Sequence, residues 1–284
     1  MKLLRYGPKE NEKPGMLADD GRVRDLSSVI PDISPAALAP EALAELRRID
    51  HAKLPIVAGN PRIGAPVGSI PKLICVGLNY SDHARETGQK IPKEPILFMK
   101  AISAICGPND DIIIPKASQK TDWEVELGVI IGTKAQYVSE ADAMEYVAGY
   151  CVANDVSERE FQTERGGQWS KGKSADTFAP LGPWLVTKDE IPNLQILSLF
   201  CEVNGERMQN GRIANMIFPV QQLVSYISEF MTLTPGDVIL TGTPAGVGMG
   251  FNPQRFLKPG DEVRLGIMAL GEQRHRVKSF DTAI

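Results

Sequence analysis

Hydrophobic positions in this chain fall mostly in short runs bounded by turn formers, the pattern of buried strands. Residues 73–76, 96–99, 112–114, 123–131, 150–153, 197–203, 238–241 and 262–267 read as strands, and 2–6 adds one near the start. Asn204-Gly205, directly after Glu202-Val203, marks a hairpin, because both central positions of a type I′ turn need positive φ. Helical signals are fewer. Residues 40–49 form one candidate, and Ser139 is placed to cap another over 140–147. The segment 219–230 carries Val220, Leu223, Val224, Ile227 and Phe230 on one face. Three prolines and two glycines between Leu54 and Pro66 mark an irregular connector. We place a boundary near Pro71, between a small N-terminal α+β domain (1–70) and a larger, β-rich α+β domain (71–284).

Composition narrows the function classes. Of the 284 residues, 43% are hydrophobic, enough for a sizeable core. The net charge of −4 argues against a nucleic-acid partner, which needs clustered Lys and Arg. No stretch reaches the ~20 apolar residues of a membrane span, and none near Met1 resembles a signal peptide. Cys75, Cys106, Cys151 and Cys201 form no C-x-x-C pair and sit among apolar residues, as reduced cysteines of a cytoplasmic protein do.

The densest chemistry lies in Asp122-Trp123-Glu124-Val125-Glu126-Leu127. On a strand, Asp122, Glu124 and Glu126 share a face. One reading is a half-exposed strand with its acids in water. The other is a cation site, because the strand runs on into apolar residues and clustered carboxylates repel unless a cation joins them. Asp155, ending the run 149–154, offers a third carboxylate. With the three histidines, His51, His83 and His275, widely spaced, all-oxygen donors favour Mg²⁺ or Mn²⁺, with Ca²⁺ also compatible.

Three further segments carry two readings each. A short helix started by Ser81 or Asp82 and ended by Gly88 makes His83 and Glu86 i, i+3 neighbours, either a surface ion pair or a general base with its orienting carboxylate. Residues 167–174 match G-x-x-x-x-G-K-[ST], but no strand precedes them and prolines follow, so the phosphate-loop reading lacks its structural context. Lys173 in that stretch remains a single cation near the acids. The segment 241–250 is either a glycine-rich turn or a backbone nest for a substrate carboxylate.

Together, Gly77-Leu78-Asn79-Tyr80-Ser81-Asp82-His83-Ala84-Arg85-Glu86, Asp122–Leu127, Asn154-Asp155-Val156-Ser157-Glu158-Arg159, Lys171-Gly172-Lys173-Ser174 and Thr241–Gly248 resemble the fumarylacetoacetate hydrolase superfamily, over roughly residues 72–267. The resemblance implies a mixed β-roll and a homo-oligomer, dimer or tetramer. It implies Glu124, Glu126 and Asp155 as ligands of Mg²⁺ or Mn²⁺, and His83 with Glu86 as a water-activating pair on a closing segment. Lys173 then faces substrate and metal, while Tyr80, Arg159, Gln162, Trp169 and Thr243 contact substrate. Leu78 departs from the arginine common in relatives at that position. Residues 2–7, with 123–126 and 166–174, look most like the bacterial branch that cleaves 2,4-diketo-3-deoxy-L-rhamnonate or its fuconate analogue. The implied reaction is hydrolysis of the C3–C4 bond of a 2,4-diketo acid to pyruvate and a second acid such as lactate. Alternatives are an oxaloacetate decarboxylase, another acylpyruvate hydrolase, a ureidoglycolate lyase-like enzyme, or a non-enzymatic metal-binding protein.

Overall fold

The computed structural model describes residues 1–282. Its strands are β1 (Lys2–Tyr6), β2 (Lys13–Leu17), β3 (Val23–Asp25), β4 (Leu73–Gly77), β5 (Ile96–Met99), β6 (Ile105–Cys106), β7 (Ile112–Ile114), β8 (Thr121–Asp122), β9 (Val125–Ile131), β10 (Val147–Asn154), β11 (Ser157–Glu158), β12 (Ala179–Thr187), β13 (Ser198–Val203), β14 (Glu206–Arg212), β15 (Val238–Leu240), β16 (Glu262–Ile267) and β17 (Gly271–Ser279). The α-helices are α1 (Pro40–Arg48), α2 (Ser81–Glu86), α3 (Ser170–Lys173) and α4 (Val220–Phe230).

A mixed ten-stranded sheet runs β3-β2-β1-β12-β10-β9-β15-β4-β5, with β6 joined to β12. A five-stranded sheet, β14-β13-β16-β17-β7, lies against it, with contacts from β13, β16 and β17 to β9, β10 and β12. Covered in this way, every residue of β9 and β10 is buried, which is why both read as near-continuous apolar runs. The N-terminal strands belong to the large sheet, because β1 pairs antiparallel with β12 across the connector that ends near Pro71.

Several elements differ from the sequence expectation. The helix expected over 140–147 is a turn, in which the Ser139 hydroxyl accepts from Asp142 N at 3.2 Å, followed by one short 3₁₀ turn at Ala143–Tyr146. Val147 already belongs to β10, where pairing with β9 outweighs local helix preference. The strand expected over 123–131 is interrupted at Trp123 and Glu124. The hairpin is as read: Asn204 and Gly205 have φ of 52° and 80° between β13 and β14. All four cysteines are free and buried. Among the described residues no helix is long and apolar enough to cross a membrane.

Candidate active site

The break after β8 builds the acidic site. Asp155 follows β10, and β10 pairs with β9 so that Asn154 faces Val125 and Ala153 faces Glu126. Asp155 N donates to Glu124 O at 2.9 Å, which sets the third carboxylate beside the first two. Glu124 has left the strand ladder, so its N–H goes to the Asn154 side chain at 3.1 Å. Glu124, Glu126 and Asp155 are all buried, each with an oxygen within 4.8 Å of the others'.

Buried cations surround these acids. Lys173, at the end of α3, bridges Glu124 Oε2 at 2.6 Å and Asp155 Oδ2 at 2.7 Å. Lys100 pairs with the other Asp155 oxygen and donates to Val156 O at 3.0 Å. Arg159 holds Glu124 Oε1 through Nη2 at 2.7 Å and Asp122 through Nε at 2.8 Å. Burial alone raises the Glu124 pKa, but Arg159, Lys173 and His83 outweigh it and hold the group well below the usual carboxylate range. Burial also lowers Lys173, but Asp155 and Glu124 reverse that and raise it. Glu126 is the exception. Burial, then Asp155 and Glu124, push it well above its ordinary value, and its hydrogen-bond partner is the neutral Gly242 N–H at 2.8 Å.

The donor set fits a hard divalent cation. Were all four ionised, Asp122, Glu124, Glu126 and Asp155 would exceed Lys100, Arg159 and Lys173 by one charge, and Glu126 is the acid left without a direct cationic partner. A divalent ion at Glu124, Glu126 and Asp155 would overturn that deficit and favour an anionic substrate.

Glu124, Glu126, Asp155, Arg159 and Lys173 line a cavity of about 360 Å³. His83, buried on α2, lines it too, with Nδ1 3.4 Å from Glu86 Oε2. Glu86 is held in turn by Gly246 N at 2.9 Å. Gly246 has φ of 104°, and a Cβ there would stand 1.9 Å from Met208 O, so only glycine carries this N–H to Glu86. Gln162 accepts from Arg159 Nη1 at 3.0 Å, which leaves its amide N–H groups as donors. Thr243 donates its hydroxyl proton to Val125 O at 2.9 Å and accepts from Gln209 Nε2 at 2.7 Å, leaving one lone pair toward a ligand.

Arg159, Gln162, Trp169, Lys173 and Thr243 thus line one cavity with the three acids and His83. Tyr80, expected as a substrate contact, does not. It is fully buried where it starts α2, and its hydroxyl has no hydrogen-bond partner. Of the two readings of 241–250, the structure favours the turn over a nest for a substrate carboxylate, since Gly242 N holds Glu126, Gly246 N holds Glu86, and Gly248 N and Met249 N hold Asp122. Asp122 does not join the acidic triad; it ties this loop to Arg159. Lys100 escaped the sequence reading because it lies outside every motif, and only the fold brings it to Asp155. The phosphate-loop match spans a four-residue α3 preceded by a π-helical turn, without the strand that such loops require.

Comparisons with known proteins place the chain in a family. The sequence profile described as the C-terminal region of fumarylacetoacetate (FAA) hydrolase matches residues 72–278. A Burkholderia orbicola protein called "Putative hydrolase" is 61% identical, covering 98% of this chain and 99% of its own. A fumarylacetoacetate hydrolase from Exiguobacterium antarcticum is 34% identical, with a TM-score of 0.85 over 98% of this chain and 99% of that one. A maleylpyruvate hydrolase from Sphingobium sp. SYK-6, solved with manganese(II) and pyruvate, is 26% identical, with a TM-score of 0.81 over 98% and 99%. The matched segment contains the acidic triad, the His83–Glu86 pair and Lys173, and on that ground the chain belongs to the fumarylacetoacetate hydrolase family.

Proposed function

We propose that this chain is a hydrolase that cleaves the C3–C4 bond of a 2,4-diketo acid, giving pyruvate and a second carboxylic acid. The observation that carries this reading is a single cavity lined by three buried carboxylates, a buried lysine and His83, which is paired with Glu86 behind it. Glu124, Glu126 and Asp155 would hold Mg²⁺ or Mn²⁺, which supplies Lewis acidity toward substrate oxygens and charge to offset a departing enolate. The manganese and pyruvate in the maleylpyruvate hydrolase structure support both the ion and the product class.

His83, oriented by Glu86, takes a proton from water, and the water oxygen bonds to C4. Lys173 and the Gln162 amide are the donors facing the negative charge that develops on the C4 oxygen. When the C3–C4 bond breaks, its electron pair stays on C3, which takes a proton to give pyruvate. Arg159 keeps Glu124 ionised throughout.

A His–Glu pair has a role in hydrolysis but none in decarboxylation, which needs no attacking water. The diketo-deoxy sugar acids, 2,4-diketo-3-deoxy-L-rhamnonate and its fuconate analogue, are members of the proposed class and would release lactate as second product. Pyruvate release is followed with lactate dehydrogenase across acylpyruvates, these sugar acids and oxaloacetate, with metal or chelator. Pyruvate from diketo acids only with metal present is expected. Metal-dependent turnover of oxaloacetate alone would assign a decarboxylase, and no pyruvate from any of them would leave a binding protein.

A further inference from the structure

The cavity has two kinds of wall. One holds the acids, and the other is dominated by Leu78, Ile96, Phe98, Trp169 and Met249; Thr87, Gln89 and Thr163 add polar side chains to the lining. Phe98 and Trp169 meet edge to face, with centroids 5.3 Å apart. Gly77 leaves room for the indole, since a Cβ there would lie 2.4 Å from the Trp169 ring. Leu78 has φ of 53°, a left-handed backbone that a leucine rarely adopts. Such strain persists where the surroundings over-determine it, and it clusters at ligand clamps.

The cavity's cations are already committed. Arg159 is paired with Asp122 and Glu124, and Lys173 with Glu124 and Asp155. A second carboxylate on the substrate's far end would be buried against apolar side chains without a counter-charge. At ~30 Å³ per water-sized group, the 360 Å³ hold about a dozen non-hydrogen atoms. The diketo acid core and one water leave space for a tail of a few carbons.

Resting on the reading of this site as a diketo acid hydrolase, we propose that the apolar wall centred on Leu78 and Trp169 selects substrates whose tail beyond C4 is short, uncharged and apolar. A tail ending in carboxylate is rejected, and a hydroxylated sugar-acid tail is a weaker substrate than an alkyl tail of equal length.

The test compares 2,4-dioxooctanoate with 2,4-dioxooctanedioate and with a 5-hydroxylated analogue, in Mn²⁺. The alkyl compound should exceed the dicarboxylate by about 100-fold in kcat/KM. From a methyl to a butyl tail, kcat/KM should rise by about 4-fold per methylene. Leu78→Arg, which supplies a cation to the apolar wall, should shrink the dicarboxylate's disadvantage at least 10-fold. Met249→Lys repeats that test at a second wall position should the Leu78 variant not fold. Binding gives an independent readout: 2-oxooctanoate and 2-oxooctanedioate lack the 4-oxo group and cannot be cleaved, and calorimetry with Mn²⁺ should favour the first. Equal turnover or equal affinity within either pair, or no binding of either 2-oxo acid, overturns the proposed selectivity. Preferential binding of 2-oxooctanoate without hydrolysis of any diketo acid instead upholds the tail preference and removes the hydrolase reading.

Discussion

Glu126→Gln separates the metal site from an ordinary buried charge network. Glu126 is 2% exposed, and an oxygen of each other triad acid lies within 4.8 Å of one of its own. At an effective dielectric of 20, like charges at that separation repel by about 3 kcal/mol per pair. Lys173 offsets part of this, but burial and the two acids still leave Glu126 raised. Glutamine keeps the shape and the acceptor for Gly242 N, and it removes the repelling charge. The metal-free variant should therefore match the wild type or exceed it by about 1–3 kcal/mol. Metal should reverse the order. At 100 times Kd, a bound ion adds about 2.7 kcal/mol, or roughly 5–10 °C in Tm, to the wild type and almost nothing to the variant. Thermal melts of both proteins, stripped with chelator and reloaded with Mn²⁺ or Mg²⁺, measure this directly. A variant that is less stable when stripped, yet gains the full shift with metal, would refute the reasoning.

Other expectations follow from the same network. His83→Ala should lower kcat by roughly 10²–10⁴ while keeping the metal-induced Tm shift, and an unchanged kcat would remove His83 as the base. Asp122→Ala leaves buried Arg159 short of a counter-charge and strands the N–H groups of Gly248 and Met249. Urea unfolding should show a loss of about 3–5 kcal/mol, and a loss under ~1 kcal/mol would mean the clamp is dispensable. Asp110 is raised by burial, but the Arg62 guanidinium and Gly107 N–H bring it below its ordinary value. Its depressed folded pKa contributes stability above the unfolded value of 3.8 that disappears as pH falls through the folded one. The stability gap between wild type and Asp110→Asn should accordingly be constant near neutrality and close below about pH 4; a gap that widens with acid would contradict the pairing.

Short spacing along the chain made part of the site legible before any fold was known. Glu124 and Glu126 are two residues apart beside a buried strand, His83 and Glu86 three apart on a helix, and Asp155 ends an apolar run. Strand β12, broken by Pro180 and Pro183, was missed although its residues are nearly all buried, whereas β9 and β10 were legible because they are buried on both faces and show it in composition. Strand β17 was not. Its inward positions include Gln273 and His275, whose polar atoms are satisfied by Val152 O, Pro180 O, Gly182 O and Asp110 O, so no hydrophobic period marks it. Only the folded chain shows that Lys100 meets Asp155, that Asp122 pairs with Arg159, that Tyr80 lies outside the cavity, and that the glycine-rich N–H groups hold the protein's own carboxylates. The reason is physical: a buried polar group must find a partner, and which partner arrives is set by long-range strand pairing, which local spacing does not encode.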